Sequence, residues 1–287
     1  MKIGIAGAGR TGCSLALALA AGGARISGVY SRKPEAVAGI FTGTGIECEG
    51  DICSLIGKSD LVFLTVPDSE IAPFSTRISS LCGSAATEKI FLHCSGALTS
   101  AALKELRDVG AVTGSLHPIQ TFPDREKSWK AMYGIYFGFE GSDRAISAAR
   151  ETVGILNGEM LLIRPEAKPL YHAAACILSN YTAALSHTAG ELLERAGIPR
   201  DVGMKAFGPL LKNTADNITT VGSAKALTGP ISRGDTETIL GHLAAIGADD
   251  RDTAELYRVL GRLTVQLARL KGSIDDVQAA ALLEALV

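Results

Sequence analysis

Through the first 165 or so residues, short apolar runs rich in β-branched side chains alternate with segments whose apolar positions recur every three or four residues. That rhythm belongs to βαβ units, in which mainly parallel strands are covered by helices. It predicts strands over residues 2–6, 25–30, 61–66, 89–93, 111–116, 134–139 and 160–163. Beyond Lys168 the strand-like runs stop, and Leu and Ala recur at helical spacing over 171–196, 237–246, 254–270 and 274–286. The expected fold is α/β: a doubly wound sheet domain over residues 1–165, then an all-α domain over residues 166–287. Arg164, Pro165 and Glu166 separate the two textures, because a residue before proline is pushed out of the helical region.

Composition narrows the function classes. With 28 basic against 30 acidic residues, a net charge of −2 gives no long-range pull toward nucleic acid or an anionic membrane. Small ligands of modest charge fit better. No apolar run nears the roughly 18 residues of a membrane span. Lys2 precedes an alanine-rich stretch in the manner of a signal peptide, but Arg10 and several glycines interrupt it, so a cytoplasmic location is expected. The six cysteines are scattered and form no C-x-x-C, which supports neither a zinc site nor a redox pair. Reduced, mostly buried cysteines and no metal are the expectation.

The segment KIGIAGAGRTGCSLALALA sets Gly7, Gly9 and Gly12 as G-x-G-x-x-G between a strand and an alanine-rich helix. In that context the pattern reads as a dinucleotide-binding turn of the Rossmann type. The first glycine permits the turn, the second lets backbone approach a pyrophosphate, and the third lets helix and strand pack closely. Arg10 and Thr11 sit within it and are counted with the cofactor residues. An NAD site would carry an acid at the end of the second strand, but Ser31, Arg32 and Lys33 stand there. A hydroxyl, a planar guanidinium and an ammonium suit a 2′-phosphate, so NADP is the expected cofactor. The strand ending in Val66, Pro67 and Asp68 should reach the same carboxyl edge of the sheet and border the cofactor.

Three further segments carry candidate chemistry. Ser95, in FLHCSGAL, is placed to hydrogen-bond substrate or nicotinamide, or else to cap the following helix. His117, in SLHPIQTF, lies at a strand end; with an ordinary pKa of about 6.5 it can move a proton near neutrality, or it can be structural. On the long helix that follows, Lys168 and His172 share a face, and Asn180 is offset from His172 by about 80°. These polar groups read as a substrate-side constellation on the helix expected to cover an interdomain cleft, or as core hydrogen-bonding groups. The loop from Leu227 to Asp235 carries Thr228, Arg233 and Asp235, more chemistry than a turn requires.

Taken together, GAGRTG, the SR pair, DLVFLTVPD and an all-helical second half resemble the superfamily of 6-phosphogluconate dehydrogenase, pyrroline-5-carboxylate reductase and prephenate dehydrogenase, which also includes β-hydroxyacid dehydrogenases and ketopantoate reductase. More closely, FLHCSGAL, SLHPIQTF, YHAAACILSNYTAAL and LTGPISRGD resemble bacterial predicted NADP oxidoreductases whose helical half is a domain of unknown function. The resemblance implies a Rossmann domain, NADP and a homodimer formed through the helices. His117 with Pro118 is similar to the His-Pro of prephenate dehydrogenases, where the histidine contacts a substrate hydroxyl. Lys168 is similar to the lysine of the Lys-x-x-x-Asn motif of β-hydroxyacid dehydrogenases, although His172 stands here in the asparagine's place. The expected activity is NADP(H)-dependent hydride transfer to or from a small carbonyl, imine or hydroxy acid, such as a 2-keto acid of the ketopantoate kind. Lys168 or His117 would donate the proton, and Ser95, His172 and Asn180 would orient the substrate. The alternative is a non-catalytic NADP-binding sensor or scaffold, since a fold alone does not specify an activity.

Overall fold

The computed structural model describes residues 1–287 and places eight strands in one sheet, in the order β3-β2-β1-β4-β5-β6-β7-β8. They are β1 (Lys2–Ala6), β2 (Arg25–Tyr30), β3 (Cys48–Glu49), β4 (Leu61–Leu64), β5 (Ile90–His93), β6 (Val112–Pro118), β7 (Tyr136–Gly141) and β8 (Glu159–Leu162). Every pairing is parallel except that of β6 with β7. The expected strands lie within two residues of those observed. The two-residue β3 escaped prediction because it is too short to show a period.

The helices among the strands are α1 (Arg10–Ala21), α2 (Ile52–Lys58), α3 (Asp68–Cys82), α4 (Lys104–Asp108) and α5 (Asp143–Ile155). Burial divides them between the two faces of the sheet. Leu15 and Leu19 of α1 pack with Ala145, Ala149 and Val153 of α5 in one apolar cluster, while Leu55 of α2, Ile71 and Phe74 of α3 and Leu106 of α4 belong to another. Each strand between them must be apolar on both sides, which is why LVFL in β4 is buried throughout.

After the sheet come α6 (Lys168–Cys176), α7 (Thr182–Arg195), α8 (Arg200–Val221), α9 (Ser223–Ala226), α10 (Thr236–Ile246), α11 (Arg251–Lys271) and α12 (Asp276–Ala285). The long helix expected at 171–196 is broken into α6 and α7 by a π turn over Ile177–Tyr181. The 22-residue α8 was not anticipated. It buries only Gly203 and carries Pro209 inside, so it shows no apolar stripe. A third apolar cluster, with Ile239, Val265, Ile274 and Leu282, holds α10, α11 and α12 together.

The chain divides into two compact units, Met1–Asn180 and Tyr181–Val287. The change of sequence texture at Arg164–Glu166 is therefore not where the units part: α6 goes with the sheet, because its side chains bond to sheet residues as described below.

The cysteines depart from the all-reduced expectation. Cys53 of α2 and Cys82, the last residue of α3, form a disulfide across a Cα separation of 5.3 Å, whereas Cys13, Cys48, Cys94 and Cys176 are free. Their spacing of 29 residues carries no motif; helix packing brings them together. Closing a loop of that length removes chain entropy from the unfolded state worth about 3–4 kcal/mol. Adding a thiol reductant should lower the urea midpoint of the wild-type protein, and Cys53→Ala with Cys82→Ala should abolish that sensitivity. An identical midpoint with and without reductant would show that the bond adds nothing to stability.

Candidate active site

The chain leaves β1 toward β2 on one side, and β4 lies on the other, so the connections diverge at the carboxyl ends of β1 and β4 and leave a crevice. The turn after β1 is built for close approach. Gly7 has φ +129°, and a Cβ at Gly12 would fall 1.9 Å from the Gly7 carbonyl oxygen, so α1 can begin directly on the turn only with glycine at both places. At Gly9 the situation differs. A Cβ there would meet protein no nearer than 3.7 Å, so the bare backbone leaves open space above it. No side chain caps α1 and no acid lies in its first turn, which leaves unpaired N–H groups beside that space.

A cavity of about 830 Å³ opens there, lined by Gly7, Ala8 and Gly9, by Tyr30 to Lys33, by Thr65 to Pro67, and by Glu70, Pro73, Phe74 and Arg77 of α3, together with Arg125. Four cations, Arg32, Lys33, Arg77 and Arg125, face one carboxylate, Glu70. Tyr30 and Phe74 stack with centroids 5.7 Å apart and fix α3 against the second strand. Of the expected cofactor residues, Gly7, Gly9, Ser31, Arg32, Val66 and Pro67 line the cavity. Gly12 lies beneath the turn, while Arg10, Thr11 and Asp68 are not in the lining. Arg77 was missed although it shares a helical face with Glu70, Pro73 and Phe74; Arg125 lies in an irregular loop with no periodicity to reveal it.

Next to this cavity, beyond the ends of β5 and β6, polar groups gather around the Cys94 to Leu98 loop. His93 is fully buried; its Nδ1 accepts from the Ser95 N–H at 3.2 Å and its Nε2 meets the Thr99 carbonyl at 3.0 Å, so the proton resides on Nε2. The Ser95 hydroxyl donates to Asp68 at 2.7 Å and accepts from the N–H groups of Ala97 and Leu98. Ser95 does not cap the following helix, which starts at Ser100 with Thr99 as its N-cap; its hydroxyl closes a turn over Ala97 and Leu98, and every polar atom of the residue is engaged within the protein. Its carbonyl accepts from Lys168 Nζ at 3.1 Å, and Lys168 also donates to Ser115 Oγ at 2.5 Å.

Lys168 is 1% exposed, and it ties the start of α6 to the sheet. One turn on, the Tyr171 hydroxyl meets His117 Nδ1 at 2.7 Å, and the His172 ring lies 6.0 Å from that of His117, edge to face. A Cβ at Gly96 would come within 2.6 Å of His172 Nδ1 and 3.0 Å of His117, so only glycine permits the two imidazoles to close over this loop. The cluster was expected to draw on two domains, yet Lys168, His172 and His117 all belong to the first unit. Asn180 does not join it. It is exposed in the π turn, eight residues or about 12 Å of helix beyond His172. Tyr171 was missed, although it neighbours His172 on the same helix.

Burial governs the protonation of the cluster. It pushes His93 down to about 4 and His117 to about 4, the latter helped by His172 and Lys168. Both rings are neutral at pH 7. Lys168 is drawn down to about 8 by burial, against the pull of Glu140 and Asp68, and Tyr171 is pushed up to about 12 by burial.

Comparison with known proteins places the chain. Residues 2–93 match the family model described as NADP oxidoreductase, coenzyme F420-dependent, and residues 135–264 match the domain of unknown function DUF2520. No curated protein matches the sequence. Among solved structures, a candidate NADP oxidoreductase from Bacteroides fragilis is 25% identical, covers 92% of this chain and 98% of its own, and superposes with a TM-score of 0.73. An imine reductase from Pseudomonas sp. is 21% identical over 99% of this chain and 91% of its own, with a TM-score of 0.61. A reductive aminase from Aspergillus terreus, solved with NADPH and ethyl levulinate, is 17% identical over 98% and 97%, with a TM-score of 0.65. The latter two share the fold.

The buried histidine has a consequence for stability. His93 binds a proton near pH 6.5 when unfolded but only near 4 when folded, so its contribution is complete above pH 6.5 and is lost as pH falls toward 4. A shift of this size corresponds to about 3 kcal/mol. Urea midpoints should fall across this window, and the dependence should flatten in His93→Gln. Equal slopes in the two proteins would contradict this assignment.

Proposed function

We propose that this chain, an oxidoreductase that joins an NADP oxidoreductase Rossmann domain to a DUF2520 region, is an NADPH-dependent reductase of a small carbonyl or imine. The observation that carries the reading is one continuous arrangement: a cavity with four cations and one carboxylate at a glycine turn, beside a buried cluster of lysine, histidine and tyrosine. Asp68 links the two. It follows Pro67, which lines the cavity, and its carboxylate accepts from Ser95 in the cluster.

The residues fit NADP. The backbone at Gly9 and the first N–H groups of α1 would hold the pyrophosphate, and Ser31, Arg32 and Lys33 the 2′-phosphate, where charge-assisted bonds are strongest. The bound cofactor would supply the hydride. Lys168 keeps its charge through the neutral range and stabilises negative charge developing on the reduced oxygen or nitrogen. Being buried and bonded to Ser95 and Ser115, it acts through its field rather than by entering the substrate's space. His117 is neutral and holds no spare proton, so it would pass one as a relay: its Nε2 proton goes to the substrate as Nδ1 takes the Tyr171 hydroxyl proton, which solvent then restores. Ser95 is a positioning residue that holds the loop beneath both imidazoles.

Replacing His117 by Ala or Lys168 by Met should lower kcat about 10²–10⁴-fold while NADPH affinity changes little. Wild-type turnover should also decline as pH rises through about 8, because Lys168 then loses the charge that does the work. NADPH oxidation over a panel of 2-keto acids and cyclic imines measures both. Undiminished kcat in the two variants would place the chemistry elsewhere, and tight NADPH binding with no turnover on any substrate would favour a sensor.

We also infer a homodimer. The helical unit exposes apolar side chains in rows, with Leu210 at 62% and Leu263 at 51%, and Leu170 and Leu178 of the preceding segment are 79% and 77% exposed. Such surface is ordinarily covered by another copy. Light scattering should return twice the 29.8 kDa of one chain. A single-chain mass at micromolar concentration would exclude the dimer.

A further inference from the structure

The cations of the cavity are not equivalent in origin. Arg32 and Lys33 follow β2, where the ribose end of a dinucleotide lies in a fold of this type, whereas Arg125 comes from the irregular segment between β6 and β7. That segment is firmly held. Phe122 is buried in the core cluster that also contains Cys13 and Leu15 of α1. Asp124 Oδ1 accepts from the N–H groups of Glu126 at 2.7 Å and Lys127 at 2.8 Å, and the Asp124 N–H donates to Ser128 Oγ at 3.0 Å. The result is a pinned turn with Arg125 at its crest, lining the cavity together with Gly7, Ala8 and Gly9.

Two observations locate the guanidinium along the cavity. Its charge acts on the thiol of Cys13, the fourth residue of α1, opposing the burial that pushes this group up to about 11; Arg32, Lys33 and Arg77 do not figure among the charges acting there. Arg125 also has no hydrogen bond or ion pair within the chain: of the two acids that flank it, Asp124 is committed to backbone N–H groups, and Glu126, whose charge also reaches Cys13, forms no ion pair with it. An unpaired guanidinium is thus held next to the start of a helix whose own N–H groups are unpaired, on the rim of a cavity that Gly9 leaves open.

We propose that Arg125 is a pyrophosphate-binding residue, a side-chain grip on the cofactor's diphosphate that works with the backbone of the glycine turn. The inference rests on the dinucleotide reading of the cavity and adds a division of labour to it. Arg32 and Ser31 discriminate NADP from NAD, because the 2′-phosphate is the only difference between the two. Arg125 grips what both share and contributes affinity without selectivity. Guanidinium suits the task, since its planar fork can meet two phosphate oxygens at once.

The test is a calorimetric titration of NADPH and of NADH into the full-length wild type, Arg125→Ala, Arg125→Lys and, as contrast, Arg32→Ala. Arg125→Ala should weaken both cofactors by the same factor, roughly 10- to 100-fold for the loss of a charge-assisted contact, and so keep their affinity ratio. Arg125→Lys should recover part of the loss. Arg32→Ala should instead weaken NADPH alone and collapse the ratio. Arg125 is exposed, so its melting temperature should match wild type and exclude misfolding as the cause. A loss confined to NADPH in Arg125→Ala would make this a 2′-phosphate residue and overturn the proposal, as would unchanged affinity for both. Wild type that binds neither cofactor would overturn the dinucleotide reading itself, a failure visible before any variant is measured.

Discussion

A lysine ammonium buried to 1% exposure, with no carboxylate in contact, organises the polar half of the site. Withdrawing such a charge from water is costly, and the structure meets it with the Ser95 carbonyl and the Ser115 hydroxyl rather than with a salt bridge. Those two bonds connect three separate parts of the chain: the loop after β5, the middle of β6 and the first residue of α6. Because α6 is anchored at Lys168, Tyr171 and His172 arrive one helical turn later against His117 and Gly96. Removing the charge therefore alters both the field at the cluster and the placement of its aromatic groups.

The same anchoring explains why the histidines are neutral. His93 and His117 lie in a desolvated region next to Lys168, and burial outweighs every attraction from nearby acids. His93 is spent on the loop, with both nitrogens bonded to backbone groups at Ser95 and Thr99. His117 keeps Nε2 free of any such bond and has Tyr171 on Nδ1. Two histidines in similar surroundings thus differ in what their nitrogens touch.

Across the sheet's carboxyl edge, the cavity and the cluster are complementary. The cavity is cationic and open over bare backbone, which suits phosphate; the cluster is largely desolvated, which strengthens the field of its single ammonium. The strand from Leu61 to Leu64, with the Thr65 to Asp68 segment after it, runs between them. Its proline borders one and its aspartate bonds into the other.

Much of this was legible in the chain. Seven strands, the glycine turn, the absence of an acid after β2 and the placing of His117 at a strand end all follow from local pattern, because periodicity and turn chemistry depend on neighbours in sequence. Local pattern could not show that Ser95 spends its hydroxyl on Asp68 and on a turn over Ala97 and Leu98, that Asn180 lies apart, or that Cys53 and Cys82 are bonded. Nor could it enlist Tyr171, Arg77 and Arg125. Those facts depend on which segments meet after the sheet has formed, and contacts such as Lys168 with Ser95, 73 residues apart, leave no trace in spacing. The sequence by itself determined the scaffold and the kind of ligand it suits. The tertiary structure alone decided which polar atoms remained free for chemistry, because each hydrogen bond made within the protein removes a group from the set available to a substrate.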